Sequence, residues 1–520
     1  MRRRHVVLAS LTAASMTLHG CAVGPNYKRP SAPTPPAFKE DAPPGQRPED
    51  WKPAEPRDAV PRGPWWELFG DPELDTLEAQ VDLANQDVAR AEANYRVARA
   101  LARGARGELL PTVTAGAGVT ISHNGNRSSN GTVIGSGSSR TTSYQVPIDL
   151  SWEADVFGRI RRNIEANVAE AQASAADLES VRLTLHAELA TDWFLLKGLD
   201  AERRLLDEAI DSFTRALELT RARHDQGLVS GVDVAQAETQ LEAARVDATD
   251  LGIARAQLEH AIAVLVGKPP SEFAVPFSPL DISAPEVPAM LPAELLERRP
   301  DIAAAERRVA SANAQVGVAT AAFFPRLLLA AGAGLQTTSL GSLFSAPSRF
   351  WSLGPSLLQT LFDGGRRRAA ADQARASYDA AVAAYRQSAL GAFQEVEDGL
   401  AAQRILGTEA AQQGAATAAA DRLVTISRSR YRGGITSYLE VSIAETVALN
   451  NHRAGVQVLT RRLTNGVALV KALGGGWELR SGQPIVPDST RIEMQERTNW
   501  GDDAFSTPAE EESSTGSQEP

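Results

Sequence analysis

RHDQGLVSGVDVAQAET, residues 223–239, aligns without a gap on RYRGGITSYLEVSIAET, residues 430–446, 207 positions later. Gly267 meets Gly474 at the same offset, and Gly158 in DVFGRIRR faces Gly364 in LFDGGRRR. Upstream, LLPTVTAGAGV (109–119) is echoed by FFPRLLLAAGAGL (323–335). The chain therefore carries two copies of one unit, about 71–267 and 297–474, and its fold must place the same parts in the same order twice.

Each copy reads as helix, strand, loop, strand, very long helix, tight turn, helix. The first helix is predicted over about 72–107. Val113, Ala115, Ala117, Val119 and Ile121 alternate with small or polar residues, the period of a two-faced strand over 112–122. A Ser/Gly/Asn-rich loop follows, and the alternation resumes at Tyr144, Val146, Ile148, Leu150 and Trp152. The second copy repeats it at Leu327, Leu329, Ala331, Ala333 and Leu335, with a partner strand near 350–360. The strand pairs, 112–153 and 327–360, have lengths that suit tilted membrane strands. The long helices are predicted over 158–226 and 364–432, each roughly 100 Å at 1.5 Å per residue. Ile164, Val168, Ala171, Ala175 and Leu178, then Leu206, Ile210, Phe213 and Leu217, recur at the 4,3 spacing of a coiled-coil seam.

Residues 1–20 read as a signal peptide: Arg2, Arg3 and Arg4, then an apolar run from Val6 to Leu18. Cys21, the one cysteine of 520 residues, follows Leu18-His19-Gly20 in a pattern that resembles a bacterial lipobox. This predicts lipidation at Cys21, with palmitate among the acyl groups, and Ala22 in the next position points to the outer membrane. Residues 21–64 read as a proline-rich extended tether, and 480–520 as a disordered acidic tail. No stretch of 18 consecutive apolar residues is present, so a spanning helix is excluded and membrane entry falls to a β-barrel.

The net charge of −11 argues against a nucleic-acid partner. Seven scattered histidines, with no HExxH, phosphate loop or GxSxG, argue against an enzyme, a metal site or a cofactor. Four strands cannot close a membrane barrel, which needs about eight, but three chains supply twelve. The expected fold is mainly α with a transmembrane β part: a trimeric, 12-stranded β-barrel continued by a long α-helical barrel, internally duplicated.

CAVGPNYKRP after the lipobox, PWWELFGDPELD, and the paired turns GLVSGVDV and GITSYLEV resemble the TolC-like outer-membrane efflux proteins, in particular their NodT-type lipoprotein branch. That resemblance implies a homotrimer in outer-membrane lipid with a large periplasmic part. It also implies a periplasmic adaptor and an inner-membrane efflux transporter as partners, and passive conduction through a gate closed at rest. It places adaptor-docking tips at Gly227, Leu228, Gly434 and Ile435. It places the gate at Val232, Asp233, Tyr431, Arg432, Leu439, Glu440 and Ile443, with Asp233 holding Tyr431. Ile443 stands where relatives often have a second acid, and Thr436 where they have an arginine. The alternative is a periplasmic coiled-coil adaptor lipoprotein.

Overall fold

The computed structural model describes residues 22–35, 38–40, 64–124, 139–280, 282–285 and 298–475, with Ile492. The signal peptide, Cys21 and nearly all of the C-terminal tail lie outside the described residues. A 3-10 turn at Trp65–Phe69 leads into α1 (Pro72–Ala84) and α2 (Gln86–Gly107). Then follow β1 (Thr112–Ala115), β2 (Gly118–Asn124), β3 (Ser139–Ala154), α3 (Arg159–Asp225) and α4 (Gly231–Leu265). The second copy supplies α5 (Pro300–Ala321), β4 (Arg326–Thr337), β5 (Arg349–Leu358), α6 (Arg366–Arg432) and α7 (Tyr438–Ala472). The two long helices have 67 residues each and the two return helices 35 each. No described helix is long and apolar enough to cross a membrane.

The helix expected over 72–107 is two helices. Asn85 breaks it: its backbone is extended, its side-chain oxygen accepts from the amides of Asp87 and Val88 at 2.8 and 3.2 Å, and its amide nitrogen donates to Leu265 O at 2.8 Å. One side chain thus starts α2 and ties it to the end of α4. The first strand is also interrupted, at residues 116–117. There Gly116 N donates to Pro147 O at 3.0 Å, but Pro147 has no N–H to return the bond. Nor does burial on α3 follow the predicted seam throughout: Ala171, Leu178, Leu206, Phe213 and Leu217 are buried, but Ile164, Val168, Ala175 and Ile210 only partly. Ala166, Ala169, Ala173 and Ala176 form a second buried stripe beside it, of side chains too small to stand out as a hydrophobic pattern.

By packing, the chain divides into two compact units that cut across the duplication. The first takes residues 96–172 and 306–384 with the chain up to Pro30; the second takes 31–95, 173–305 and 385–520. Each unit is thus made from both copies.

The sheet belongs to the first unit. All pairs are antiparallel, with β3 between β1/β2 and β4, and β5 beyond β4. Val113, Leu150, Ala331 and Leu353 form one cross-strand row, and Ala115, Ile148, Ala333 and Trp351 another. The alternating rows hold Thr112, Ser151, Ala330 and Gly354, then Thr114, Asp149, Gly332 and Ser352. One face is therefore apolar and the other small and polar. The apolar face is bare, with Val113, Ile148, Leu353 and Trp351 all more than half exposed.

Residues 22–35 and 38–40, within the predicted tether, have no helix or strand and are pinned to the body. In the first unit Val23 N donates to Phe157 O at 3.1 Å, Arg162 Nη2 to Asn26 Oδ1 at 2.7 Å, and Asn313 Nδ2 to Pro25 O at 3.0 Å. Gly24 passes Gly317 so closely that a Cβ on Gly24 would lie 2.6 Å from Gly317 Cα. In the second unit Phe38 is buried near Phe393, and the amides of Lys39 and Glu40 donate to the Glu397 carboxylate at 2.7 and 3.0 Å.

Candidate gate and docking tips

Both long helices end in the same hydrogen-bonded reversal, in the second unit. At the first tip Leu228 N donates to Arg223 O at 2.9 Å and Gly227 N to His224 O at 2.7 Å. At the second, Ile435 N donates to Arg430 O at 3.0 Å and Gly434 N to Tyr431 O at 3.1 Å. This crossed pair needs a left-handed residue, and Gly227 and Gly434 supply it with φ of 74° and 71°. Leu228 and Ile435, at 69% and 71% exposure, cap the turns in solvent.

Ser230 then starts α4. Its amide and hydroxyl donate to Asp233 Oδ2 at 3.0 and 2.9 Å, which closes a capping box. Asp233 is therefore engaged at its own helix start and does not hold Tyr431 within this chain, contrary to the expectation from the resemblance. Position N3 puts its carboxylate beside the N-cap amide. Tyr431 is buried, its hydroxyl has no hydrogen-bond partner among the described residues, and its ring is held by packing. Tyr438 meets it edge-on with ring centres 5.7 Å apart, and the Arg223 guanidinium lies 4.7 Å from its centre. Phe213, Leu217, Ala237, Leu241, Ala244 and Val441 complete this core between the two hairpins.

Val232, Leu439 and Ile443 are exposed apolar side chains, and Arg432 is also exposed. Glu440 lies 3.9 Å from Arg430, both half exposed. These residues and the tip residues are available at the surface of this chain, whereas Tyr431 is an internal support and Asp233 a partly exposed helix cap.

Tyr438, which the sequence reasoning passed over, is fully buried; its hydroxyl donates to Gln240 Oε1 at 3.3 Å, and burial pushes its ionisation well above the ordinary range. Also missed was a duplicated ion pair. Arg221 reaches Glu238 at 2.6 Å, and Arg428, 207 residues later, reaches Glu445 at 2.8 Å. The repeat itself carried that signal, because both arginines and both glutamates coincide at the shared offset. The second pair is the deeper: Glu445 is buried, and Arg428 also donates to Ser212 Oγ at 2.8 Å, so it ties α6 to α7 and to α3.

Residues 79–268 and 291–475 match the family described as outer membrane efflux protein. The chain belongs to that family. The efflux pump outer membrane protein TtgC of Pseudomonas putida is 32% identical over 483 residues, covering 92% of this chain and 97% of that protein. The solved outer-membrane channel OprN is 32% identical with a TM-score of 0.78, covering 88% of this chain and all of that one. The open state of the MtrE channel of Neisseria gonorrhoeae is 27% identical with a TM-score of 0.76, covering 89% and 100%. As a member of the outer membrane efflux protein family the chain is an outer-membrane component of an efflux system. The two matched segments of the family pattern fall on the two copies of the duplication.

Proposed function

We propose that three copies of this chain close into an exit duct through the outer membrane, gated at the helix tips. The observation that carries this reading is the sheet with one apolar face, one polar face and two unpaired edges. Strands β1/β2 and β5 run in opposite directions, so copies joined edge to edge continue the antiparallel order through twelve strands. The apolar rows would face lipid and the rows of Thr, Ser, Gly and Asp149 a water-filled lumen. At the helix tips Leu439 and Ile443 form the constriction with Val232, Glu440 and Arg432 around it. Gly227, Leu228, Gly434 and Ile435 meet a periplasmic adaptor that hands over cargo from an inner-membrane transporter. Lipid on Cys21 adds an anchor that the barrel does not depend on.

Light-scattering mass of the protein in mild detergent tests the assembly, and a trimer is the expected result. A monodisperse monomer that still conducts ions in planar bilayers would overturn it. Labelled palmitate should enter the wild type and be lost in Cys21→Ser, while the trimer persists.

A further inference from the structure

Helix α1 is fastened to α3 by a ladder in which every acid lies on or at the start of α1 and every donor on α3, all within the second unit. Trp193 Nε1 donates to Asp71 Oδ2 at 2.7 Å, and Lys197 Nζ to Glu73 Oε2 at 2.7 Å. Arg182 lies 3.7 Å from Asp82. Between these rungs sits His186, buried, with Nδ1 2.6 Å from Glu78 Oε2 and Nε2 3.4 Å from Asp82 Oδ1. A ring with a carboxylate at each nitrogen satisfies both only when both nitrogens carry hydrogen. The Trp66 ring stacks on it at 4.6 Å between centres and 23° between planes, the placement that favours a cation. Glu78 has no solvent exposure, and its second oxygen, Oε1, has no hydrogen-bond partner among the described residues. Charged neighbours complete the site: Asp75 on α1, Glu67 on the 3-10 turn, and Arg182 with its partner Glu179 on α3.

We propose that Glu78, His186 and Asp82, closed over by Trp66, form a proton-binding site that latches α1 to α3. One proton sits on the second ring nitrogen of His186 and another on Oε1 of Glu78. The latch holds more than one helix. Phe69, in the same 3-10 turn as Trp66, packs on Phe194 of α3 at 4.9 Å and covers Gly466 of α7. The turn and α1 therefore bridge the two hairpins, and the proton content of the site sets how firmly the bridge is held.

The direction follows from the surroundings. Burial disfavours the imidazolium, but Asp82 and Glu78 outweigh it and raise His186 from 6.5 to about 9. Burial raises Glu78 to about 7 against the pull of His186. Burial would raise Asp82 too, but His186 and Arg182 hold it below its ordinary value. Both raised groups keep protons that an undocked α1 would release, so docking weakens as pH rises, first through about 7 and then through about 9.

Protonated imidazole quenches a stacked indole. The difference in emission between the full-length protein and its Trp66→Phe variant, titrated in detergent, should therefore rise with a midpoint near 9. It should not titrate in His186→Gln. Amide-exchange protection of α1, corrected for intrinsic rates, should fall at least tenfold across the same titration, out of the roughly 300-fold that the shift from 6.5 to about 9 permits. In the double variant His186→Gln/Glu78→Gln, which carries neither titrating group, it should stay within twofold. Should His186→Gln fail to fold, Glu78→Gln serves instead, and its emission midpoint should drop by at least a unit. A wild-type midpoint at the ordinary value of 6.5, or one that Glu78→Gln leaves unmoved, overturns the proposal. So does equal loss of protection in wild type and in the double variant.

Discussion

Tyr431 offers the sharpest test of how the helix tips are held. Its ring is buried but its hydroxyl has no hydrogen-bond partner among the described residues. A buried hydroxyl without a partner costs about 1–3 kcal/mol, so Tyr431→Phe should be neutral or more stable by up to that amount. Tyr431→Ala removes the ring from the core formed by Phe213, Leu217, Leu241 and Tyr438. That loss is worth about 3–5 kcal/mol, and it already includes most of the edge-on contact with Tyr438. The Arg223 contact adds about 0.5–1 kcal/mol. Asp233→Ala should cost about 1 kcal/mol as a broken cap. In a double-mutant cycle with Tyr431→Phe its coupling should stay within about 0.3–0.5 kcal/mol of zero, because the two side chains do not touch. Denaturant unfolding in detergent reads the energies, and single-channel conductance in planar bilayers reads the gate. Tyr431→Phe should leave conductance unchanged, whereas Leu439→Ala should raise it. If Tyr431→Phe alone raises conductance, or couples to Asp233→Ala by more than about 1 kcal/mol, the hydroxyl has a partner that packing within one chain does not supply. The account of the tips given above would then be wrong.

Two glycines in the same left-handed conformation should respond differently to alanine. At Gly227 nothing lies within 4 Å of the added Cβ, so Gly227→Ala should cost only the backbone term of about 1–2 kcal/mol. At Gly267 the Cβ would lie 2.4 Å from Ala84 O, so Gly267→Ala should cost clearly more in the same unfolding assay, and α1 should lose exchange protection. The two arginines of the duplicated pair should also separate. Arg221→Ala, at an exposed pair, should change stability by no more than about 1 kcal/mol. Arg428→Ala strands the buried Glu445 and should cost about 3–5 kcal/mol, a penalty that Glu445→Gln should partly relieve.

Much of this architecture was legible because it rests on periodicity. The 67-residue helices fall within two residues of their expected bounds, the strands alternate as expected, and the turn glycines fall where the helices reverse. What escaped detection depends on partners far away in sequence. Asn85 looks like any polar residue in a helical pattern until Leu265 O is opposite its amide. Pro147 interrupts a strand other than its own. The alanine stripe of α3 carries its burial in small side chains, so no apolar period announces it. His186 and Glu78 stand 108 residues apart and share no motif. Asp233 was not legible as a cap for the opposite reason: a resemblance assigned it a partner on the neighbouring helix, while within this chain a capping box engages its carboxylate.

The bare sheet edges carry a consequence for how the protein is made. Among the described residues no strand pairs with the outer sides of β1/β2 and β5, and in hydrocarbon each unpaired backbone group costs several kcal/mol. In the proposed trimer a lone chain is penalised in proportion to its edge length, and relief comes from meeting the other two copies. On that proposal abundance in the membrane, as much as sequence, decides whether newly delivered chains reach their native state. At low copy number the slow step is encounter, and the chains that wait are those most exposed to proteolysis and to pairing with the wrong edge.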